Sequence, residues 1–248
     1  MKQTIILGNI ITMDEKRPFA KAALVKNGLF AYIGSAEEAK KLAGADAQVL
    51  DYGDNYIYPG FLESHCHGHL AGDRFIGQAN LGQVGLTDYA KYREIIKEYI
   101  AKNPQREFYL ASGWVENEEH VTKAYPIKSF YDAGANVVFH SDYPVSPMMN
   151  VKYSIYMAEK RTTPKEMLGG ICQPRNVKEA ITREQSLRAM TINVARQWHQ
   201  EHRMGSIEFG KIANMAVFDC DFLHDDIEKV AQANIVATIV DGEEVFKA

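Results

Sequence analysis

Hydrophobic positions fall in short β-branched or aromatic runs at both ends of the chain and at helical spacing between them. Residues 4–13 (TIILGNIITM), 22–33 (AALVKNGLFAYI) and 47–52 (AQVLDY) read as strands. Lys26-Asn27-Gly28 is the turn that splits the second run in two. Ser35, followed by Glu37 and Glu38 and closed at Gly44, predicts one short capped helix lying on that sheet. From about residue 60 strands and helices alternate, the mark of parallel βα units. Strands are expected at Tyr56–Leu62, Glu107–Ala111 and Asn136–Phe139, and helices over Tyr89–Ile100 and 152–161. Thr182 and Gln185 form a capping-box pattern ahead of Leu187, Met190, Val194 and Trp198, which share one face of a single predicted helix. After Gly205 the pattern returns to strands, at Ala213–Asp219 and at Ile235–Val240, the latter turning at Asp241-Gly242 into Glu243–Phe246.

The two ends therefore look alike. The pattern predicts an α/β protein in which residues 1–58 and 205–248 build a composite β-sheet domain and residues 59–204 form a βα domain between them. No internal repeat and no low-complexity linker interrupts this plan.

Composition narrows the function. The chain has 248 residues, 46% hydrophobic and 24% charged, with a net charge of −4. That is a globular composition without the clustered positive field that nucleic-acid binding needs. No stretch reaches the roughly 18 apolar residues of a membrane span, and no signal peptide is read at the N-terminus. Three widely spaced cysteines, Cys66, Cys172 and Cys220, suit a reducing cytoplasm better than a disulfide framework.

The densest chemical signal is Pro59-Gly60-Phe61-Leu62-Glu63-Ser64-His65-Cys66-His67. Alternate residues of a strand point the same way, so both imidazoles of this His-x-His can face one point, while Cys66 should pack on the opposite side. Imidazole is a common ligand of zinc and similar ions, and a carboxylate usually completes such a site. A surface or loop pair is the bland alternative. The second signal is Val137-Val138-Phe139-His140-Ser141-Asp142-Tyr143-Pro144, an apolar run ending in Ser-Asp. A carboxylate there can bind a metal and take a proton from water; alternatively, Asp142 simply caps the turn before Pro144. His69, His120 and His140 are weighed as substitute ligands and read as loop or ligand-supporting residues, and Trp114, Glu116 and Asn117 follow a strand end where they could line a pocket, the reading taken being core packing for Trp114 and solvent exposure for the other two.

Together with Gly205-Ser206-Ile207-Glu208-Phe209-Gly210-Lys211-Ile212-Ala213-Asn214, these motifs resemble the amidohydrolase superfamily, in its amidohydrolase 3 branch of YtcJ-like metal-dependent hydrolases. The resemblance runs over about residues 4–118 and 125–246. His140 stands where Gly is usual, Phe209 where Pro is frequent, and Asn214 where Asp is usual. It implies a TIM-type (β/α) barrel with a β-sandwich-like domain, and hydrolysis of a non-peptide carbon–nitrogen bond in a small-molecule substrate by a metal-activated water. His65, His67 and Asp142 would hold the divalent metal, zinc with iron or manganese as alternatives, and Asp142 would also be the catalytic proton shuttle.

A complete barrel takes about 250 residues, roughly 31 per βα unit, and residues 60–204 have room for only about four to five units. The resemblance breaks after Gly113-Trp114-Val115-Glu116-Asn117 and resumes at Tyr125-Pro126-Ile127. The length therefore predicts an incomplete barrel, and the resemblance implies that the missing middle would have carried the bridging Lys or Glu and two further His ligands. Two expectations follow. Either three ligands hold one ion with an open position, or the chain is a non-catalytic or regulatory remnant of the family. An open barrel would also favour a homo-oligomer that covers exposed strand edges.

Overall fold

A long first strand with two buried faces organises the computed structural model, which describes residues 2–66, 79–80, 89–105, 111–112, 125–142, 150–165, 167 and 173–248. This strand, β1 (Gln3–Ile11), buries Ile5, Ile6, Ile10 and Ile11. It pairs antiparallel with β2 (Phe19–Lys26) and parallel with β4 (Gln48–Pro59). With β3 (Leu29–Gly34), β7 (Met215–Phe218), β8 (Ile235–Val240) and β9 (Glu243–Lys247) they form one seven-stranded sheet in the order β3-β2-β1-β4-β7-β8-β9. Both ends of the chain thus enter a single sheet.

The two hairpin turns form where the sequence places them. Asn27 (φ 52°) with Gly28 (φ 80°), and Asp241 (φ 50°) with Gly242 (φ 76°), adopt the paired positive-φ geometry of a type I′ turn. Ala213 N–H donates to the Gly28 carbonyl, and Gly242 N–H donates to the Ala213 carbonyl, so the two turns are laced together. Gly53-Asp54-Asn55 looks like a loop in the sequence, yet β4 runs through it. Asp51 Oδ1 accepts the Gly53 N–H, Asn55 Nδ2 bonds the Tyr52 carbonyl, and the register against β1 shifts there, so the turn residues make a bulge.

Three apolar clusters stabilise this part. Ile6, Ile10, Phe30, Ile57, Val217 and Ile239 pack together between strands. Ile5, Ala22 and Leu24 hold Ala39 of α1 (Ala36–Leu42), whose N-cap is Ser35 as expected. Tyr58, Phe218 and Phe222 pack with helices α4 (Val151–Lys160), α5 (Arg183–Ala189) and α7 (Ile227–Gln232). Tyr58 lies across the last cluster: its hydroxyl donates to the Cys220 carbonyl and accepts the Phe222 N–H.

Two expectations change. The capping box at Thr182 and Gln185 is present, but the predicted single helix divides into α5 and α6 (Ile192–Gln197). Thr191 sits at φ −132°, ψ −98°, and its hydroxyl bonds back to the Leu187 carbonyl at 2.7 Å, a local bond that competes with helix continuation. Trp198 falls beyond α6 and is exposed. Gly205 (φ 90°) then returns the chain; a Cβ there would lie 2.7 Å from Ala195 Cβ and 2.9 Å from Ile192 Cα. Gly205→Ala is expected to cost about 2–4 kcal/mol, from backbone strain plus overpacking. A urea midpoint equal to that of the unmodified protein would contradict this.

By contact the chain divides into two units, one of residues 1–64, 125–140 and 150–248, the other of 65–124 and 141–149. The second contains α2 (Tyr89–Lys102) and the short parallel strands β5 (Ala79–Asn80) and β6 (Ala111–Ser112). Among the described residues no helix is long and apolar enough to cross a membrane.

Candidate metal centre

The segments that carry His65 and Asp142 are irregular rather than strand. β4 takes in residues 56–59 of the strand expected at Tyr56–Leu62 and ends at Pro59, while 60–66 and 135–142 adopt no strand pairing, so the strand expected at Asn136–Phe139 does not form. The reason lies in where their backbone groups go. Gly60 N–H donates to the Asn214 carbonyl (2.8 Å), Leu62 N–H to the Met190 carbonyl (2.9 Å) and Phe139 N–H to the Ala189 carbonyl (2.8 Å). Asn193 Nδ2 donates to the Val137 carbonyl at 2.9 Å, and Asn136 Nδ2 to the Asn193 carbonyl at 3.0 Å. Side chains and the break between α5 and α6 replace a ladder. α3 (Ile127–Asp132) is fixed nearby in sequence by the Tyr131 hydroxyl, which donates to the Gln185 carbonyl; burial pushes that phenol up to about 12.

Within the second unit, His65 and Asp142 come together although far apart in sequence: His65 Nε2 lies 3.3 Å from Asp142 Oδ1. Asp142 has φ 54°, a left-handed conformation that Asp and Asn tolerate better than other residues with a Cβ. That kink ends the extended run, so His140 and Asp142 are not alternate residues of one strand, and His140 is exposed. Cys66 is exposed too, because no strand continues to carry it into a wall. His67, His69, Trp114, Glu116, Asn117, His120 and Cys172 lie outside the described residues. Among the described residues no group of three or more His, Cys, Asp or Glu converges.

The donor pair fits a metal. Tetrahedral bonds of about 2.0–2.2 Å put two ligand atoms about 3.3–3.6 Å apart, and an imidazole nitrogen with a carboxylate oxygen at 3.3 Å matches that spacing and the chemistry that zinc, iron or manganese takes. One contributor was not foreseen from the sequence. Within the first unit, Ser64 Oγ donates to the Phe139 carbonyl at 2.9 Å, joining the two segments. Its signal was its place inside the motif, which by itself marks a spacer as readily as a bond.

Residues 115–246 match the Amidohydrolase family. An N-substituted formamide deformylase of Arthrobacter pascens is 34% identical over 141 residues, covering 54% of this chain and 24% of the relative. Protein LONG AFTER FAR-RED 3 of Arabidopsis thaliana is 30% identical over 130 residues, covering 52% and 21%. The matched stretch thus spans a quarter or less of either relative's length. Among solved structures, a triazine hydrolase variant aligns with TM-score 0.63 at 11% identity, covering 100% of this chain and 95% of that one. An adenosine deaminase from Xanthomonas campestris with bound zinc aligns with TM-score 0.59 at 12% identity, covering 98% and 92%. At these identities the likeness is one of fold. On the family match over more than half its length, the chain belongs to the amidohydrolase family.

Proposed function

We propose that this protein is a metal-dependent hydrolase of a non-peptide carbon–nitrogen bond in a small-molecule substrate. In this reading a shortened barrel domain of residues 59–204 is carried by the sheet domain of 1–58 and 205–248. The observation that carries the reading is the convergence of His65 Nε2 and Asp142 Oδ1 at 3.3 Å. His65 and His67 offer imidazole nitrogens and Asp142 a carboxylate, a mixed set of the kind that binds zinc, iron or manganese. A divalent ion held there would supply Lewis acidity and bring a coordinated water within reach of deprotonation near neutral pH. Asp142 takes the proton of the attacking water on a carboxylate oxygen and hands it to the departing nitrogen, which leaves as an amine. N-substituted formamides are the first substrates to try, since a relative is named for their deformylation; there the products would be formate and the free amine.

The test is metal stoichiometry by elemental analysis on the purified full chain, with the His65→Ala, His67→Ala double variant beside it. About one ion per chain, lost in the double variant, is expected. A folded protein that retains no metal, or a double variant that retains it fully, would overturn the reading in favour of a non-catalytic member of the family.

A further inference from the structure

The segments that carry His65 and Asp142 are both tied to one place, the break between α5 and α6, through Leu62 to Met190 and Phe139 to Ala189. A side-chain bond from Ser64 Oγ to the Phe139 carbonyl, at 2.9 Å, also joins the segments directly. Ser64 immediately precedes His65, and Phe139 stands three residues before Asp142. Both backbone polar groups of Phe139 are thereby engaged, its N–H by Ala189 and its carbonyl by Ser64, while its ring packs against the cluster around Tyr58. Phe139 is a fixed point, and the Ser64 hydroxyl measures the His65 segment against it.

We propose that Ser64 is a positioning residue for the metal site, its bond to the Phe139 carbonyl setting the separation at which His65 and Asp142 meet. The proposal rests on the metal-binding reading above. Its physical basis is the absence of any strand pairing over 60–66 and 135–142. Where a ladder would hold two ligands in register, the Ser64 hydroxyl is one of the bonds that does so here. A tetrahedral ion tolerates only a few tenths of an ångström in donor spacing, and groups that orient metal ligands without touching the ion typically change affinity by about 10–100-fold when removed.

Cobalt(II) titrated into the metal-stripped full chain tests this, read by visible absorption and dissociation constant for the unmodified protein, Ser64→Ala, Ser64→Thr and His65→Ala. Ser64→Ala is expected to bind about 10–100-fold more weakly, with an altered band intensity, and Ser64→Thr, which keeps the hydroxyl, to bind as the unmodified protein does. A purely structural serine would instead shift the metal-free unfolding midpoint and leave affinity unchanged. Wild-type affinity in Ser64→Ala, or equal loss in Ser64→Thr, overturns the proposal. Failure of the metal reading is seen separately, as no cobalt binding by the unmodified protein or full binding by His65→Ala, and the positioning role falls with it. Should Ser64→Ala not fold, Ser64→Gly, which also removes the hydroxyl and adds no metal ligand, carries the same comparison.

Discussion

Asp142→Asn is expected to lower kcat/KM for hydrolysis of an N-substituted formamide by about 10²–10⁴-fold, the range that a positioned proton-transfer group supplies. Asn is the informative replacement. It is nearly isosteric with Asp and tolerates the left-handed φ of 54° that this position adopts, so the backbone keeps its course. Asp142→Ala would mix the chemical loss with about 1–2 kcal/mol of backbone strain. The amide can still face His65 Nε2, now 3.3 Å from the carboxylate, but it neither carries a negative charge to an ion nor accepts the proton of a water. Steady-state kinetics with the metal content measured in parallel decides the matter. Activity within a factor of two of the unmodified protein would remove Asp142 from the proposed mechanism.

The largest stability effect is expected at Phe222. Its side chain is fully buried, stacked on Tyr58 at 4.8 Å and tilted against Phe218 at 4.8 Å. Phe222→Ala deletes most of a ring from a cluster that also receives α4, α5 and α7, and the surrounding helices cannot close the gap fully. Loss of transfer free energy plus the residual cavity predicts about 3–5 kcal/mol. Tyr58→Phe makes a useful scale. It keeps the ring but strands the Phe222 N–H and the Cys220 carbonyl, at about 1–3 kcal/mol. Denaturant midpoints should therefore fall in the order unmodified, Tyr58→Phe, Phe222→Ala. A Phe222→Ala variant as stable as Tyr58→Phe would mean that the cluster collapses around the deletion.

What the sequence disclosed, it disclosed through local chemistry. Asn27-Gly28, Asp241-Gly242 and the Thr182–Gln185 box each form their structure from residues a few positions apart, and the β-branched runs at either end assemble into one sheet. The division between α5 and α6 was hidden because apolar spacing continues across it; the interruption comes from the hydroxyl of Thr191 turning onto Leu187. Val137-Val138-Phe139 has the composition of a strand, but composition does not say whether a neighbour is there to pair with, and here helical carbonyls and Asn193 take that role. The candidate site divides in the same way. His65 and Asp142 were named from their motifs, while Ser64 needed a partner on a distant segment to acquire meaning.

The anchor at the α5–α6 break has a bearing on how chains of this kind vary in length. Leu62, Ser64, Phe139, Ala189 and Met190 form a clasp whose members all lie outside residues 66–124. Lengthening or shortening that interval changes a closed loop, whose entropic cost grows only by about 0.6 kcal/mol per doubling, and leaves every bond of the clasp in place. The interior of such a sequence can thus change in length while the clasp between its two flanks stays closed.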